Sequence, residues 1–352
     1  MTTKERMERV FKHEEPDRVP LLASPWKTTL RRWKREGMPE ETVFEEYFGL
    51  DRTVKFGVDS SPRYEEKIIE ETDEYIIQSS SWGTTFKDWK HAVSTPHFTD
   101  HTVTGRESWE EAKKRMDADP GRVDWKMLEE NYKAWREEGC WLQCAFWFGF
   151  DVTHSKITGT ERLLVMMAED PELATDIFNT QLETNIKLFE QVIEKGFEFD
   201  SIFWWDDMGY RNGTFFSVKM YRDILKPVHK RAVDWAHGKG MRAHLHSCGN
   251  INDFLPELID IGLDALNPLE VKAGMDPLEI KKTYGDKLVL HGGLNAMLWD
   301  DPEKIEEEVR RLLPVLKEGG GYIFQEDHSV PDSVSLEDFR RIIETAKELG
   351  KY

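Results

Sequence analysis

The sequence predicts an α/β fold, a single (β/α)8 (TIM) barrel with N-terminal and loop insertions. Three observations point to it: about eight short β-rich runs, charged amphipathic helices between them, and no Pro/Gly/Ser linker anywhere in 352 residues. An open, doubly wound sheet has the same local pattern, but no Gly-x-Gly-x-x-Gly segment follows a strand, which favours the barrel. We therefore treat residues 1–352 as one domain.

Runs rich in β-branched and aromatic residues predict the strands of this barrel. They are 19–23, 53–58, 141–146, 201–205, 242–246, 265–267, 288–291 and 322–325. The segment 72–90 differs, because Tyr75-Ile-Ile and Thr84-Thr-Phe flank a Ser/Gly cluster, a pattern typical of a hairpin.

Apolar residues at helical spacing predict the helices that alternate with these strands. In the last one, Ser335 is a candidate N-cap, and Phe339, Ile342, Ile343 and Ala346 follow at that spacing. The predicted helices are 2–12, 39–48, 106–117, 125–138, 160–195, 217–239, 275–284, 301–317 and 334–350.

Composition and charge exclude several classes of protein. The chain has 48 basic and 67 acidic residues, a net charge of −19, which disfavours binding to nucleic acid or to an anionic membrane surface. No apolar run is long enough to span a bilayer, and the charged N-terminus does not resemble a secretory signal. Three scattered cysteines do not form a disulfide framework, so we expect a reduced, soluble, cytoplasmic protein.

Polar side chains follow five successive predicted strands, at the end where the active site of a barrel lies. The segments are Asp206-Asp207-Met-Gly, His244-Leu-His246-Ser-Cys248-Gly-Asn, Asn267-Pro-Leu-Glu270, His291-Gly-Gly and Glu326-Asp327-His328. One such segment alone would be weak evidence. Because five of them coincide at one end of the sheet, the sequence predicts a site there.

His246 and Cys248 are the strongest candidates for metal ligands. Side chains alternate along a strand, so His244, His246 and Cys248 share one face, with the last two nearest the mouth. Thiolate and imidazole are ligands that zinc prefers, and a third ligand must come from another strand. We expect His328, with Glu270 and His291 as alternatives. The competing interpretation is that Cys248 is a small buried residue and His246 a hydrogen-bonded polar one.

Other strand-end residues are candidates for catalysis and substrate binding. Of the adjacent acids, we prefer Asp207 to Asp206, since it lies farther toward the mouth, although an Asp there also suits a helix N-cap. Trp147 and Trp205 could wall a pocket for a flat ligand, or pack helices on the barrel. We expect His291 and Glu326 to contact the substrate, and Cys140 and Cys144 to be structural.

Several motifs together resemble the uroporphyrinogen decarboxylase-like superfamily along nearly the whole chain. They are Glu5-Arg-Met-Glu-Arg-Val-Phe with Asp17-Arg-Val-Pro, the five strand-end segments, Lys272-Ala-Gly-Met-Asp-Pro and Gly321-Tyr-Ile-x4-His328-x-Val-Pro. The resemblance implies a single (β/α)8 barrel. It also implies one of two activities: cofactor-free decarboxylation of uroporphyrinogen, or zinc-dependent methyl transfer involving a corrinoid on a partner protein.

The residues are nearer the corrinoid-dependent methyltransferase branch. The decarboxylases carry Arg-Gln-x-Gly-Arg after the first strand, where this chain has Ala23-Ser-Pro-Trp-Lys-Thr-Thr-Leu-Arg-Arg. His246-x-Cys248 is similar to the first half of the methyltransferases' His-x-Cys…Cys zinc motif, and His328 stands where the closing Cys is expected.

The resemblance thus implies a zinc methyltransferase of one-carbon metabolism. Zinc on His246, Cys248 and His328 would activate a small methylated, possibly methoxylated aromatic, compound, and Asp207 and Glu270 would orient it. A cobalamin would be supplied by a partner corrinoid protein. The alternatives are a metal-free decarboxylase and a non-catalytic escort for a corrinoid protein. The sequence leaves the methyl donor, the direction of transfer and the oligomeric state open.

Overall fold

A computed structural model describes residues 1–91 and 96–352 of the chain. Thirteen strands lie in these ranges. They are Thr53–Gly57 (β1), Ile68–Glu71 (β2), Tyr75–Ser79 (β3), Thr84–Trp89 (β4), His97–His101 (β5), Trp141–Phe146 (β6), Ser201–Trp205 (β7), Gly209–Tyr210 (β8), Gly213–Thr214 (β9), Arg242–His246 (β10), Ala265–Asn267 (β11), Val289–His291 (β12) and Tyr322–Ile323 (β13).

Seven of these strands form one curled, entirely parallel sheet in the order β1-β6-β7-β10-β11-β12-β13. Strands that are neighbours in this sheet also follow one another along the chain, if the inserted strands β2–β5 and β8–β9 are left out. This order is that of a barrel built from successive βα units. Four predicted strands, 141–146, 201–205, 242–246 and 265–267, have the observed bounds. The other three differ from prediction by one or two residues at an end.

The predicted first strand, 19–23, joins the sheet through an isolated bridge and does not form a ladder. Leu21 bridges Phe324 in parallel, next to β13. On the opposite side, the Asp51 N–H donates to the Leu21 carbonyl over 2.8 Å. Pro20 has no N–H to donate, which limits a ladder here. The structure therefore shows a curled seven-stranded sheet whose gap this segment bridges, where the sequence predicted a closed eight-stranded barrel.

Helices cover the outside of the sheet. The α-helices of the described residues are Thr3–Val10 (α1), Lys27–Arg35 (α2), Phe44–Phe48 (α3), Arg106–Lys113 (α4), Trp125–Glu137 (α5), Phe150–Val152 (α6), Thr160–Glu169 (α7), Pro171–Glu194 (α8), Val218–Met220 (α9), Lys226–Gly238 (α10), Leu255–Asp260 (α11), Pro277–Tyr284 (α12), Pro302–Leu316 (α13) and Leu336–Leu349 (α14). Two π-helical turns, Thr153–Ile157 and Tyr221–Leu225, and four 3-10 turns, Pro120–Arg122, Asn252–Phe254, Val271–Ala273 and Ala296–Leu298, complete them. None of the helices in this part of the chain has the length and apolarity to cross a membrane.

Some helices differ from the predictions for identifiable reasons. The predicted helix 160–195 is broken where Asp170 caps α8 by accepting the Leu173 N–H, immediately before Pro171. The predicted helix 217–239 includes the π-turn Tyr221–Leu225. Helix α2 was not predicted, because only Leu30 and Trp33 form its apolar stripe.

The predicted hairpin at 72–90 is confirmed, as β3 and β4 pair antiparallel. It belongs to an inserted four-stranded sheet in the order β2-β3-β4-β5. At the last strand of this insertion, His101 Nε2 lies 3.1 Å from the carbonyl oxygen of Ser155, which follows β6. The insertion therefore reaches the carboxyl ends of the parallel strands.

The lower end of the sheet's lumen is closed by α1. Met7, Val10 and Phe11 of this helix pack on inward-facing residues of the sheet, and the Phe11 and Trp141 rings stack at 5.2 Å. This small cluster is separate from the larger core between sheet and helices. Access to the lumen is therefore from the carboxyl ends of the strands.

We predict that Asp51→Asn destabilises the protein by about 3 kcal/mol, the usual cost of breaking a buried ion pair. The Asp51 carboxylate is 1 % exposed and accepts from Arg6 at 2.5 Å, Arg18 at 2.6 Å and the Leu21 N–H at 2.8 Å. Chemical denaturation measures the change. Asp253→Asn, at an exposed acid, is the control; equal stability of the two variants would contradict this role for Asp51.

Candidate functional site

The sheet register brings the predicted ligands together at the mouth. His246, the last residue of β10, pairs with Trp205 of β7 and with Asn267 of β11. Because parallel strands end at the same edge, the segments after these three strands meet above the lumen. Asp207, Cys248 and Glu270 lie on those segments.

His246 and Cys248 are in direct contact. The Nε2 atom of His246 lies 3.4 Å from the Cys248 Sγ and 3.6 Å from the Asp207 Oδ1. The same Asp207 oxygen accepts the Cys248 N–H over 2.7 Å. Asp207 therefore holds the Cys248 backbone and also faces the His246 imidazole. The sequence analysis placed Asp207 nearer the mouth than Asp206, and Asp207 lies there in the structure.

Asn267 fixes the orientation and the tautomer of His246. The Asn267 Nδ2 donates to the His291 carbonyl over 3.2 Å, so its Oδ1 faces His246 Nδ1 at 2.6 Å. An amide oxygen only accepts, so Nδ1 carries the proton. The free lone pair of the neutral ring is consequently on Nε2, the atom that faces Cys248 and Asp207.

Glu270 and His328 approach Cys248 from its other side. Glu270 Oε2 accepts the Gly249 N–H over 2.7 Å. Lys272 Nζ lies 3.4 Å from Glu270 Oε1 and 3.4 Å from His328 Nε2. Cys248 is thus flanked by an imidazole and a carboxylate on each side.

Two sets of three candidate ligands have their donor atoms within 4.8 Å of one another in the described part of the chain, and they share Cys248. One set is Asp207, His246 and Cys248, and the other is Cys248, Glu270 and His328. The predicted trio of His246, Cys248 and His328 does not form one set, because their donor atoms do not all come within 4.8 Å of one another. His291, an alternative third ligand, belongs to neither.

The electrostatics of this cluster suit a divalent cation. Burial, with the carboxylates of Asp207 and Glu270, raises the pKa of the Cys248 thiol well above its usual value. Burial also raises the pKa of Asp207, against the attraction of His246. Sulfur, nitrogen and carboxylate oxygen ligands around one point match the donor set of zinc, so the residues fit that metal.

Two glycines make this arrangement sterically possible. The loops after β7 and β10 cross at Gly209 and Gly249, where a Cβ on Gly249 would lie 2.1 Å from the Gly209 carbonyl carbon. Gly249 also has a φ of +80°. Both residues stand in motifs that the sequence analysis selected for their acids and cysteine. Their steric role depends on a contact between distant segments.

Asp206 is buried on the outer side of the sheet, as the alternation of side chains requires. Its carboxylate is fully buried, lies 2.7 Å from His229 Nε2 and accepts the Asp151 N–H over 2.7 Å. The Tyr221 hydroxyl lies 3.0 Å from His229 Nδ1. Desolvation raises the pKa of Asp206. Asp206 therefore positions the loop after β6 and is not in the mouth.

Trp147 and Trp205 stack on one another, with ring centroids 4.4 Å apart and planes at 15°. Lys156 Nζ lies 4.0 Å from the centroid of the Trp147 ring. Both indoles remain partly exposed, so they form a flat wall beside the cluster. Their role in substrate binding stays a prediction.

His291 and Glu326 lie apart from the ligand cluster. His291 is buried in the lumen, 3.1 Å from His244 and 2.5 Å from Gln325. Glu326 is buried and accepts the Ser24 N–H, and burial raises its pKa to about 8. Of the segment Glu326-Asp327-His328, only His328 reaches the cluster.

A cavity of about 880 Å³ opens above Asp207 and Cys248. The inserted sheet contributes Phe98 and His101 to its wall, and the segment after β6 contributes Asp151 and His154. Sequence reasoning missed these residues. His101 lies in an insertion, and no local pattern indicates that the insertion folds over the mouth.

These features define an α/β protein with a polar cluster at the carboxyl ends of a parallel sheet, and comparison with known proteins identifies the family. The uroporphyrinogen decarboxylase (URO-D) family model matches residues 152–349, more than half of the chain. The protein belongs to this family.

Individual relatives are distant. The chain is 23 % identical over 189 residues to a uroporphyrinogen decarboxylase of Mannheimia succiniciproducens, covering 53 % of this chain and 51 % of the relative. It is 31 % identical over 143 residues to that of Shewanella loihica, covering 39 % of each. The matches thus span about half, or less, of these relatives. A methyltransferase from Methanosarcina mazei has a TM-score of 0.67 at 17 % identity, covering 99 % of both chains, which shows the same fold.

We predict that Gly249→Ala disrupts the site, whereas Gly240→Ala costs only about 1 kcal/mol of backbone strain. The two glycines have φ of +80° and +75°, but nothing lies within 4 Å of a Cβ at Gly240. The difference in unfolding free energy between these variants therefore measures the cost of placing a side chain where the two loops cross. Equal destabilisation would show that backbone strain alone requires Gly249.

Proposed function

We propose that this protein is a zinc-dependent methyltransferase that takes a methyl group from a small methylated compound and passes it to a corrinoid on a partner protein. The observation that carries the proposal is the convergence of Cys248 Sγ, His246 Nε2 and carboxylate oxygens at the mouth. The Methanosarcina neighbour, whose printed description is a methyltransferase, supports it through the shared fold. We also propose that the fold is a (β/α)8 barrel, in which segment 19–23, the first along the chain, completes the seven-stranded sheet.

Cys248 and His246 would hold the zinc, completed by Asp207 or by the Glu270 and His328 side. When bound, zinc would act as a Lewis acid that stabilises negative charge on the substrate heteroatom as the methyl group leaves. The carbon–heteroatom bond would break with its electron pair left on the heteroatom, which would take up a proton from solvent, and the partner's corrinoid, reduced to cobalt(I), would supply the electron pair that accepts the methyl group. A reduced thiol at Cys248 suits a cytoplasmic protein.

The chain's own residues orient this chemistry. Asn267 keeps the His246 lone pair toward the mouth, and Asp207 holds the Cys248 backbone in place. The stacked pair Trp147 and Trp205 offers a flat surface to the substrate. The open cavity above the cluster leaves room for a corrinoid delivered from outside.

Metal-free decarboxylation is the second candidate, because the curated relatives are uroporphyrinogen decarboxylases. The charge of the mouth argues against it. The cavity is lined by Asp151, Glu161 and Asp207 but by a single arginine, Arg162. A substrate with many carboxylates requires several basic residues at such a site, as in bidentate arginine recognition.

We predict about one zinc per chain in protein purified with zinc, and loss of that zinc in Cys248→Ser. The hydroxyl of serine is a poorer zinc ligand than a thiolate. Elemental analysis by plasma mass spectrometry measures the metal. Methyl transfer from methoxylated compounds to free reduced cobalamin, which should be lost in the same variant, measures the activity.

Cys140→Ser is the matched control for that experiment. Cys140 is a buried thiol at the start of β6, next to Glu138 and remote from the mouth. It should keep both zinc and activity. Methyl transfer that survives in Cys248→Ser would exclude the mechanism, and a metal-free wild-type protein would favour the decarboxylase.

We predict that Asn267→Leu weakens zinc binding about 10- to 100-fold, the usual effect of removing a residue that orients a metal ligand. The leucine has no acceptor for the His246 Nδ1–H. Competition with a chromogenic chelator measures the affinity. Asn131→Leu, at a half-buried position of α5, is the control, and equal affinities in the two variants would contradict the role of Asn267.

A further inference from the structure

The lumen below the ligand cluster contains a layer of polar side chains. It lies above the apolar residues that pack on α1 and below His246 and Asn267. A cavity of about 100 Å³ lies within it, about the volume of three waters. Its polar lining includes Ser24, Lys55, Gln143, His244, His291 and Gln325.

Lys55 supplies an uncompensated positive charge to this layer. Its Nζ lies 4.2 Å from the centroid of the Phe203 ring and 5.8 Å from that of Trp205. The Lys55 side chain lies among these rings and is exposed to solvent. Burial lowers its pKa to about 8, so most of the ammonium stays protonated at neutral pH.

The carboxylates that line the same cavity do not neutralise Lys55. Asp51 is paired with Arg6 and Arg18. Glu45, whose pKa is raised by burial, is the other acid there. Within the described residues, neither lies within 4.0 Å of the Lys55 ammonium. The ammonium is therefore available to an anionic ligand that enters the lumen, where the surrounding protein strengthens the attraction between opposite charges.

His244 adds a polar atom without a partner. Its side chain lines the cavity, and its buried Nδ1 has no hydrogen-bond partner among the described residues. Its Nε2 lies 3.1 Å from His291 Nδ1, and His291 Nε2 lies 2.5 Å from Gln325. A 180° rotation of the Gln325 amide reverses the protons in this row. The row can therefore direct an Nδ1–H donor of His244 at an anion.

The wall above Lys55 has no large side chain. Gly57 follows Lys55 on the same face of β1, and its register partner on β6 is Ala145. Gly57 is exposed although it lies within a strand of the sheet. These two small residues face the bulky Phe203 and Trp205 of β7. No large side chain of β1 or β6 therefore stands between Lys55 and the carboxyl ends of these two strands.

We infer that the lumen binds a carboxylate of the substrate against Lys55, and that the substrate is therefore a methylated compound carrying a carboxylate. The part of this inference that concerns the methyl group rests on the proposed function, whereas the carboxylate part rests on the lumen. The His244 and His246 layers lie about 7 Å apart, two residues at about 3.3 Å each. A flat spacer along Trp205 would place a methylated heteroatom near Cys248.

Binding of 4-methoxybenzoate and of its neutral isostere 4-methoxybenzamide to the zinc-supplied full chain tests this, by isothermal titration calorimetry. We expect the acid to bind at least tenfold more tightly than the amide, and Lys55→Met to remove that preference. Lys195→Met is the matched control, since Lys195 also lies over an indole, 3.6 Å from the Trp125 ring, but outside the lumen. It should keep the preference.

Gly57→Val provides a second variant that does not touch the charge. The only contact of a Cβ there is Ala145 Cβ at 3.9 Å, so the strand should fold while the passage narrows. We expect at least tenfold weaker binding of the acid. Equal binding of acid and amide to the wild type, no binding of the acid, or undiminished binding in Lys55→Met would overturn the inference.

The zinc content of Lys55→Met separates the two proposals. It should equal that of the wild type, because Lys55 is not a ligand. Acid binding through Lys55 in a protein that holds no zinc would reject the proposed function and keep the lumen site. If the protein holds zinc but transfers methyl groups only from neutral donors, the proposed function would stand and the lumen site would be rejected.

Discussion

The backbone contact between Gly209 and Gly249 is the constraint on which the site depends. Here the loops after two neighbouring strands cross so closely that neither position has space for a side chain. The crossing holds Asp207 over the Cys248 N–H and the His246 imidazole. A similar contact occurs at Gly292, where a Cβ would lie 2.2 Å from the Pro268 carbonyl oxygen. At these two points, the loops that follow neighbouring strands therefore pack backbone against backbone.

The lumen is organised as three layers with different chemistry. Apolar residues on α1 close the bottom, a polar layer around Lys55 and His244 lies in the middle, and the ligands around Cys248 lie at the mouth. Such a sequence of layers allows one end of a ligand to be held below while its other end reacts above. The aromatic side chains of β7 pass through the upper two layers and connect them.

Charge is distributed unevenly in this acidic protein, and the distribution bears on its function. Carboxylates concentrate at the mouth around an imidazole and a thiol, which is an arrangement that attracts a cation. The Lys55 ammonium, which has no carboxylate within 4.0 Å in the described part of the chain, lies deeper, at the proposed anion site. The family model is that of uroporphyrinogen decarboxylase, and a methyltransferase shares the fold, so the fold does not decide the activity and the proposal rests on these local charges.

The sequence by itself determined the parallel α/β architecture, most strand positions, the hairpin, and the segments that contribute to the site, because these depend on local periodicity and on the shared edge of parallel strands. Only the tertiary structure decided which residues meet. His246 and His328 belong to two different ligand sets that share Cys248, His291 bonds to His244 within the lumen, and Asn267 orients His246. The tertiary structure alone also decided two further features. They are the crossing of Gly209 with Gly249 and the placement of His101 over the mouth. These relations arise from contacts between segments tens of residues apart, and no periodicity in one segment encodes the position of another.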